Sequence, residues 1–154
     1  MKKFLTVYIS IIIVTLILIS GCSNENTTKL DSAQTVVENF FDYKNEKNKD
    51  KLLTTLTEHY NSPNAVWGFE NLDSIKIINI EEENDEQFKN TYLNAGGGSI
   101  NGTLENNIKV YKVKYDVKYK EDGIGPEDSG IHIKWFFVIR KNENSQWLID
   151  DMGV

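Results

Sequence analysis

Within Val110 to Lys120 the chain alternates without interruption from Tyr111 onward. Tyr111, Val113, Tyr115, Val117 and Tyr119 fall on one parity, and Lys112, Lys114, Asp116, Lys118 and Lys120 on the other. A period of two marks a β-strand with one face buried and one in water. Such a strand needs partners and a covering layer, which points to an antiparallel sheet packed on one side. Ile131–Arg140 supplies one partner across the turn EDGIGPEDSG, with Ile131, Ile133, Trp135, Phe137 and Ile139 expected as its core face. His132 then falls on the outer side. Trp147–Met152 follows after the short polar turn KNENSQ, so it is expected to form an antiparallel hairpin with the strand before it. Upstream, Ser74–Glu81 is rich in β-branched residues, and its alternation slips at Ile77-Ile78, as at a bulge.

The covering layer is legible before the first strand. Ala33, Val36, Val37, Phe40 and Phe41 recur at helical spacing, with Asp31 as the expected cap and Gln34 at the capping-box position. A second helix is expected from Asn48 with Leu52, Leu53 and Leu56 on its apolar side and Tyr60 one turn on, ending at Asn61-Ser62-Pro63-Asn64. Between the strands, EEENDE reads as a solvated acidic loop, Gln87–Leu93 as a short helix or a strand, and AGGGSINGT as a flexible loop. Two helices followed by a meander of strands predict an α+β fold, with both helices on one face of the sheet.

The first 22 residues have a different character. Two lysines precede an apolar run, Phe4–Ile19, which ends in Ile19-Ser20-Gly21-Cys22. This order is that of a secretion signal. The placement of the cysteine resembles the lipobox of bacterial lipoproteins. That resemblance implies a signal peptide over 1–21, lipidation of Cys22 with acyl chains such as palmitate, and an anchor on the extracytoplasmic face of the cell membrane. Cys22 is the only cysteine in the chain, so no intramolecular disulfide is available. Residues 22–30 form the lipidated Cys and a polar tether, and 31–154 a single domain. Eight tether residues span at most about 28 Å, which keeps the domain and its partners near the bilayer.

The leader carries two of the 17 basic residues and none of the 23 acids, so the mature charge is −8. A net acidic domain argues against nucleic acid as a partner. Abundant Lys, Asn and Ile suggest an AT-rich genome, as in a low-GC Gram-positive bacterium. Two separated histidines and one lipidated cysteine give no metal pattern. GGGS lacks the Lys-Ser/Thr of a phosphate loop. No hydrolase elbow is present, and no cofactor is expected.

The element order and the closing strand Trp147-Leu148-Ile149-Asp150-Asp151 resemble the nuclear-transport-factor-2-like superfamily, whose curved sheet wraps helices into a cone. FFDYKNEKNKDKLL, AVWGFENL and WLIDDMG are similar to a family of Gram-positive bacterial lipoproteins, a domain of unknown function. The likeness covers roughly residues 33 to 154. The cone resemblance implies a site at the open end, where some members use an Asp or His base and a Tyr donor. Asp151, with the parity of Trp147 and Ile149, Tyr43 at the end of the first helix, and Trp67 after the second are the candidate pocket residues. Phe136 and Val138, apolar on the face expected to be outer, are the candidate surface for a homodimer or protein partner.

These features favour a membrane-anchored lipoprotein with a non-enzymatic binding or protein-interaction domain. The alternative is a small isomerase- or dehydratase-like enzyme with an acid at the cone mouth. No catalytic constellation stands out in the sequence.

Overall fold

A computed structural model describes residues 31–153. The leader, Cys22 and the tether up to residue 30 lie outside the described residues. Helix α1 spans Ala33–Asn45, and the stripe Ala33, Val36, Val37, Phe40 and Phe41 is buried along it. Its cap is Ser32, which accepts the Thr35 N–H at 3.1 Å. The expected cap, Asp31, instead accepts a bond from Asn39, and Gln34 donates to Glu38.

Helix α2 is short, Lys49–Leu53, and begins as expected at Asn48, which accepts the Lys51 N–H. It does not run on to Tyr60. The Thr54 and Thr55 hydroxyls bond back to the carbonyls of Lys51 and Leu52, each at 2.6 Å. Residues 55–57 then extend along the last strand, with Ile149 N–H donating to Thr55 O and Thr57 N–H to Ile149 O. A 3-10 turn at Glu58–Tyr60 follows.

Strands β1 (Leu72–Glu82), β2 (Ile108–Tyr119), β3 (Gly130–Ile139) and β4 (Leu148–Gly153) form one curved antiparallel sheet in the order β1-β2-β3-β4. The β1–β2 pairing shifts between Ile77 and Asn79, where the alternation of the sequence slips. The fold is α+β, with both N-terminal helices against the inner face. The segment 55–57 pairs with the free edge of β4 at Ile149 and so covers part of an edge that is otherwise a template for unwanted pairing.

The outer face is covered at one end as well. Between β1 and β2 the chain forms helix α3 (Glu86–Ala95), capped by Asp85, and a short helix α4 (Gly97–Asn101). AGGGSINGT is therefore partly helical. Glycines are required there because a Cβ on Gly98 would come within 2.7 Å of the Tyr92 ring.

This second layer inverts the expected parity of β3. Phe136 and Val138 are 1% and 0% exposed and belong to the main core beneath α1. The Phe136 ring lies 5.7 Å from Phe40 and 5.5 Å from Phe41. They are not a docking surface. Trp135, Phe137 and Ile139 face outward but are packed with Phe88 and Tyr92 of α3 in a second cluster that includes Ile108 and Val110. Phe88 stacks on Trp135 and Tyr92 on Phe137. Past the end of α3 the outer face is bare, and Ile131 and Ile133 are exposed rather than core.

Candidate functional site

The inner face of the sheet does not pack against α1 along its whole length. Between the C-terminal half of α1, the start of β1 and the facing ends of β2 and β3 lies a partly open cavity of about 970 Å³. Its walls are apolar: Phe40 and Phe41 from α1, Leu72 and Ile75 from β1, Phe136 from β3 and Trp67 from the preceding loop. The Trp67 indole N–H is buried there without a hydrogen-bond partner among the described residues.

A polar cluster occupies one side. Glu127, on the β2–β3 turn, accepts the Tyr115 hydroxyl at 2.7 Å and the Tyr119 hydroxyl at 3.1 Å. Lys134 Nζ lies 3.5 Å from the same carboxylate and over the Tyr115 ring. Lys44, from α1, also lines the cavity. Burial pushes the Glu127 carboxyl upward, but the Tyr115 hydroxyl, Lys134, the Tyr119 hydroxyl and Lys44 outweigh it, and the group titrates below its ordinary range. Burial drives the Lys44 ammonium down; Glu127 opposes the shift and Lys134 adds to it. The Tyr115 hydroxyl is held protonated well above its ordinary value by burial and by donation to Glu127.

His132 belongs to this cavity too, which reverses its expected outer position. The inverted parity of β3 turns it inward, opposite Tyr115 in the register, and its Nε2 lies 2.8 Å from Asp128 O. Of the three candidate pocket residues, Trp67 lines the cavity. Tyr43 packs against the main core beneath Lys51, whose ammonium sits 5.3 Å from its ring centroid. Asp151 is exposed and lies away from the cavity. A register shift between Phe137 and Val138 inserts one extra residue in β4, so Asp151 pairs with outward-facing Phe137.

The inserted residue, Asp150, is the buried acid of this strand. It is 7% exposed and accepts bonds from Tyr92 OH at 2.5 Å, Thr57 Oγ1 at 2.9 Å and Asn101 Nδ2 at 3.0 Å. His59 Nδ1 stands 3.6 Å away. With three donors on it, Asp150 ties the 55–57 segment, α3 and α4 to β4. Among the described residues no three His, Cys, Asp or Glu side chains converge as metal ligands.

Residues 34–153 match the family described as domain of unknown function DUF4829. The chain belongs to the DUF4829 family. Its cavity walls and the Glu127 cluster fall within the part that defines the DUF4829 domain. No curated protein and no solved structure matches the chain. Among the described residues no helix is long and apolar enough to cross a membrane.

Proposed function

We propose that this DUF4829 protein is a lipid-anchored extracytoplasmic binding domain that takes a small amphiphilic molecule into the cavity under α1. One observation carries the reading: a cavity of about 970 Å³ with aromatic and aliphatic walls and a few charged groups gathered on one side. That combination of apolar lining with sparse, converging polar groups is the usual make-up of a small-molecule site. The lipobox resemblance at Ile19–Cys22 supports the anchor. The helices against a curved sheet, with a cavity between them, support a distant relation to the nuclear-transport-factor-2-like cone.

Binding is favoured over isomerase chemistry by the state of the carboxylates. A general base needs a free lone pair within reach of a substrate proton. Asp150 and Asp151 do not line the cavity, and Glu127, which does, is made a weaker base by the Tyr115 and Tyr119 hydroxyls and Lys134.

The test uses the acylated full chain in lipid nanodiscs, with empty nanodiscs as blank, and 1-octanol as an uncharged probe. Saturable binding that a Met152→Trp substitution abolishes, without loss of folding, is expected, because Met152 lines the cavity. Binding that survives the larger side chain would place the ligand elsewhere. In cells, Cys22→Ser should move the protein from the membrane fraction to the medium; unchanged membrane association would overturn the anchor.

A further inference from the structure

The carboxylate of Glu127 sits in a donor set built by other parts of the fold. Tyr115 and Tyr119 stand on β2 and Lys134 on β3, two strands in unbroken register with each other. Glu127 itself comes from the turn between them, which has no helix or strand and is mostly exposed. The turn does not depend on Glu127 for closure. Asp122 accepts the Ser129 N–H and hydroxyl at 2.8 and 2.7 Å, and Asp128 accepts the Gly123 N–H at 2.7 Å. Ile124, Gly125 and Pro126 lie over the cavity beside it.

We propose that the Tyr115–Tyr119–Lys134 donor set is a seat for the carboxylate of an apolar-tailed organic acid, and that Glu127 occupies it as a displaceable stand-in. The inference rests on the cavity being a binding site and names its ligand class. Every polar group in the seat donates: two hydroxyls and an ammonium, with the Lys44 ammonium also at the cavity. A carboxylate on the ligand would satisfy the same donors while Glu127 turns to water with its exposed loop. A cationic head would meet Lys44 and Lys134. Burial already disfavours the Lys44 charge, so an anion in the cavity is matched to it. The ligand's tail would lie against Trp67, Ile124 and Met152, the cavity-lining apolar side chains that keep exposed surface.

The experiment compares octanoate, 1-octanol and octylamine on the full chain in nanodiscs by calorimetry, for wild type, Glu127→Ala and Glu127→Gln, with the melting temperature of each recorded. Emptying the seat should tighten octanoate at least tenfold in Glu127→Ala and leave 1-octanol within twofold. Glu127→Gln, which keeps the side chain's size and removes its charge, should also favour octanoate and guards against misfolding of the alanine variant. Octylamine should bind no variant more tightly. If octanoate is unchanged in both folded variants, Glu127 is not a stand-in. If octanoate and 1-octanol tighten equally, the cavity opens but the seat does not read a carboxylate. If 1-octanol and octanoate bind no form, the cavity reading itself fails.

Discussion

At the scale of single residues, two adjacent acids on β4 have opposite roles. Asp150 is buried with three donors directed at it, and Asp151 is exposed. Removing the Asp150 carboxylate leaves the buried Tyr92 hydroxyl without its acceptor and breaks the links from Thr57 and Asn101, which keep His59 and Tyr92 OH within reach. A buried polar group stripped of its partner costs about 1–3 kcal/mol. Asp150→Ala is therefore expected to lower the unfolding free energy by about 3 kcal/mol, whereas Asp151→Ala should stay within about 0.5 kcal/mol of wild type. Urea denaturation of the two variants measures the difference, and equal effects would show that the Asp150 cluster does not hold α3 and α4 to the sheet. The sequence points to the wrong member of the pair because parity alone cannot register the extra residue in β4. The Glu127 seat is hidden for another reason: a turn glutamate carries no local sign of a long-range partner. A signal exists on the strand opposite. Tyr115 and Tyr119 have inward parity, and hydroxyls on a core-facing parity call for partners, which the facing turn supplies through Glu127.

At the scale of elements, what the sequence reveals depends on how many faces of each element are buried. Helix α1 has one apolar side, and its buried residues are those its spacing predicts; on β2 the spacing finds Tyr111, Val113, Tyr115 and Val117, while Tyr119 is half-buried and Ile108 and Val110 are buried on the opposite face. Strand β3 has two. Its C-terminal half, Trp135–Ile139, is covered by α1 on one side and α3 on the other, so apolar residues occupy both parities and alternation loses its meaning. The missing information was α3, since Gln87–Leu93 fits a helix or a strand until Phe88 and Tyr92 are seen stacked on Trp135 and Phe137. The two parities of β3 can be told apart by mutation. Phe136→Ala removes a ring packed among Phe40, Phe41 and the sheet and should cost about 3–5 kcal/mol. Ile131→Ala, at a position 61% exposed, should change stability by less than about 0.5 kcal/mol. Thermal unfolding of both reads out the orientation, and a reversed ranking would require the strand to be turned over.

At the scale of the whole molecule, the tyrosines couple the core to pH. Burial raises Tyr60, Tyr111 and Tyr119 each to about 12, and lifts Tyr92 and Tyr115 further. Above about pH 10 an unfolded tyrosine releases a proton that the folded one keeps. The native state then binds more protons than the unfolded state, so stability falls as pH rises. The contribution is complete below about pH 10 and is lost as pH climbs through about 12. Lys44 acts in the opposite sense: its folded form sheds its proton first, so its penalty is relieved as pH approaches the ordinary lysine value. One lysine set against five tyrosines leaves a net loss. Glu127, held below its ordinary range, adds stability that is present at neutral pH and disappears as pH falls below about 4.5. The urea midpoint should therefore fall in acid, rise slightly toward about pH 10 as the Lys44 penalty is relieved, and fall more steeply above it. Tyr111→Phe should make the alkaline fall shallower, because a phenyl ring in the same core position has no proton to lose. An alkaline limb unchanged by that substitution would mean that Tyr111 ionises alike in the folded and unfolded chain, and that its hydroxyl is not shielded by the sheet and helix that enclose it.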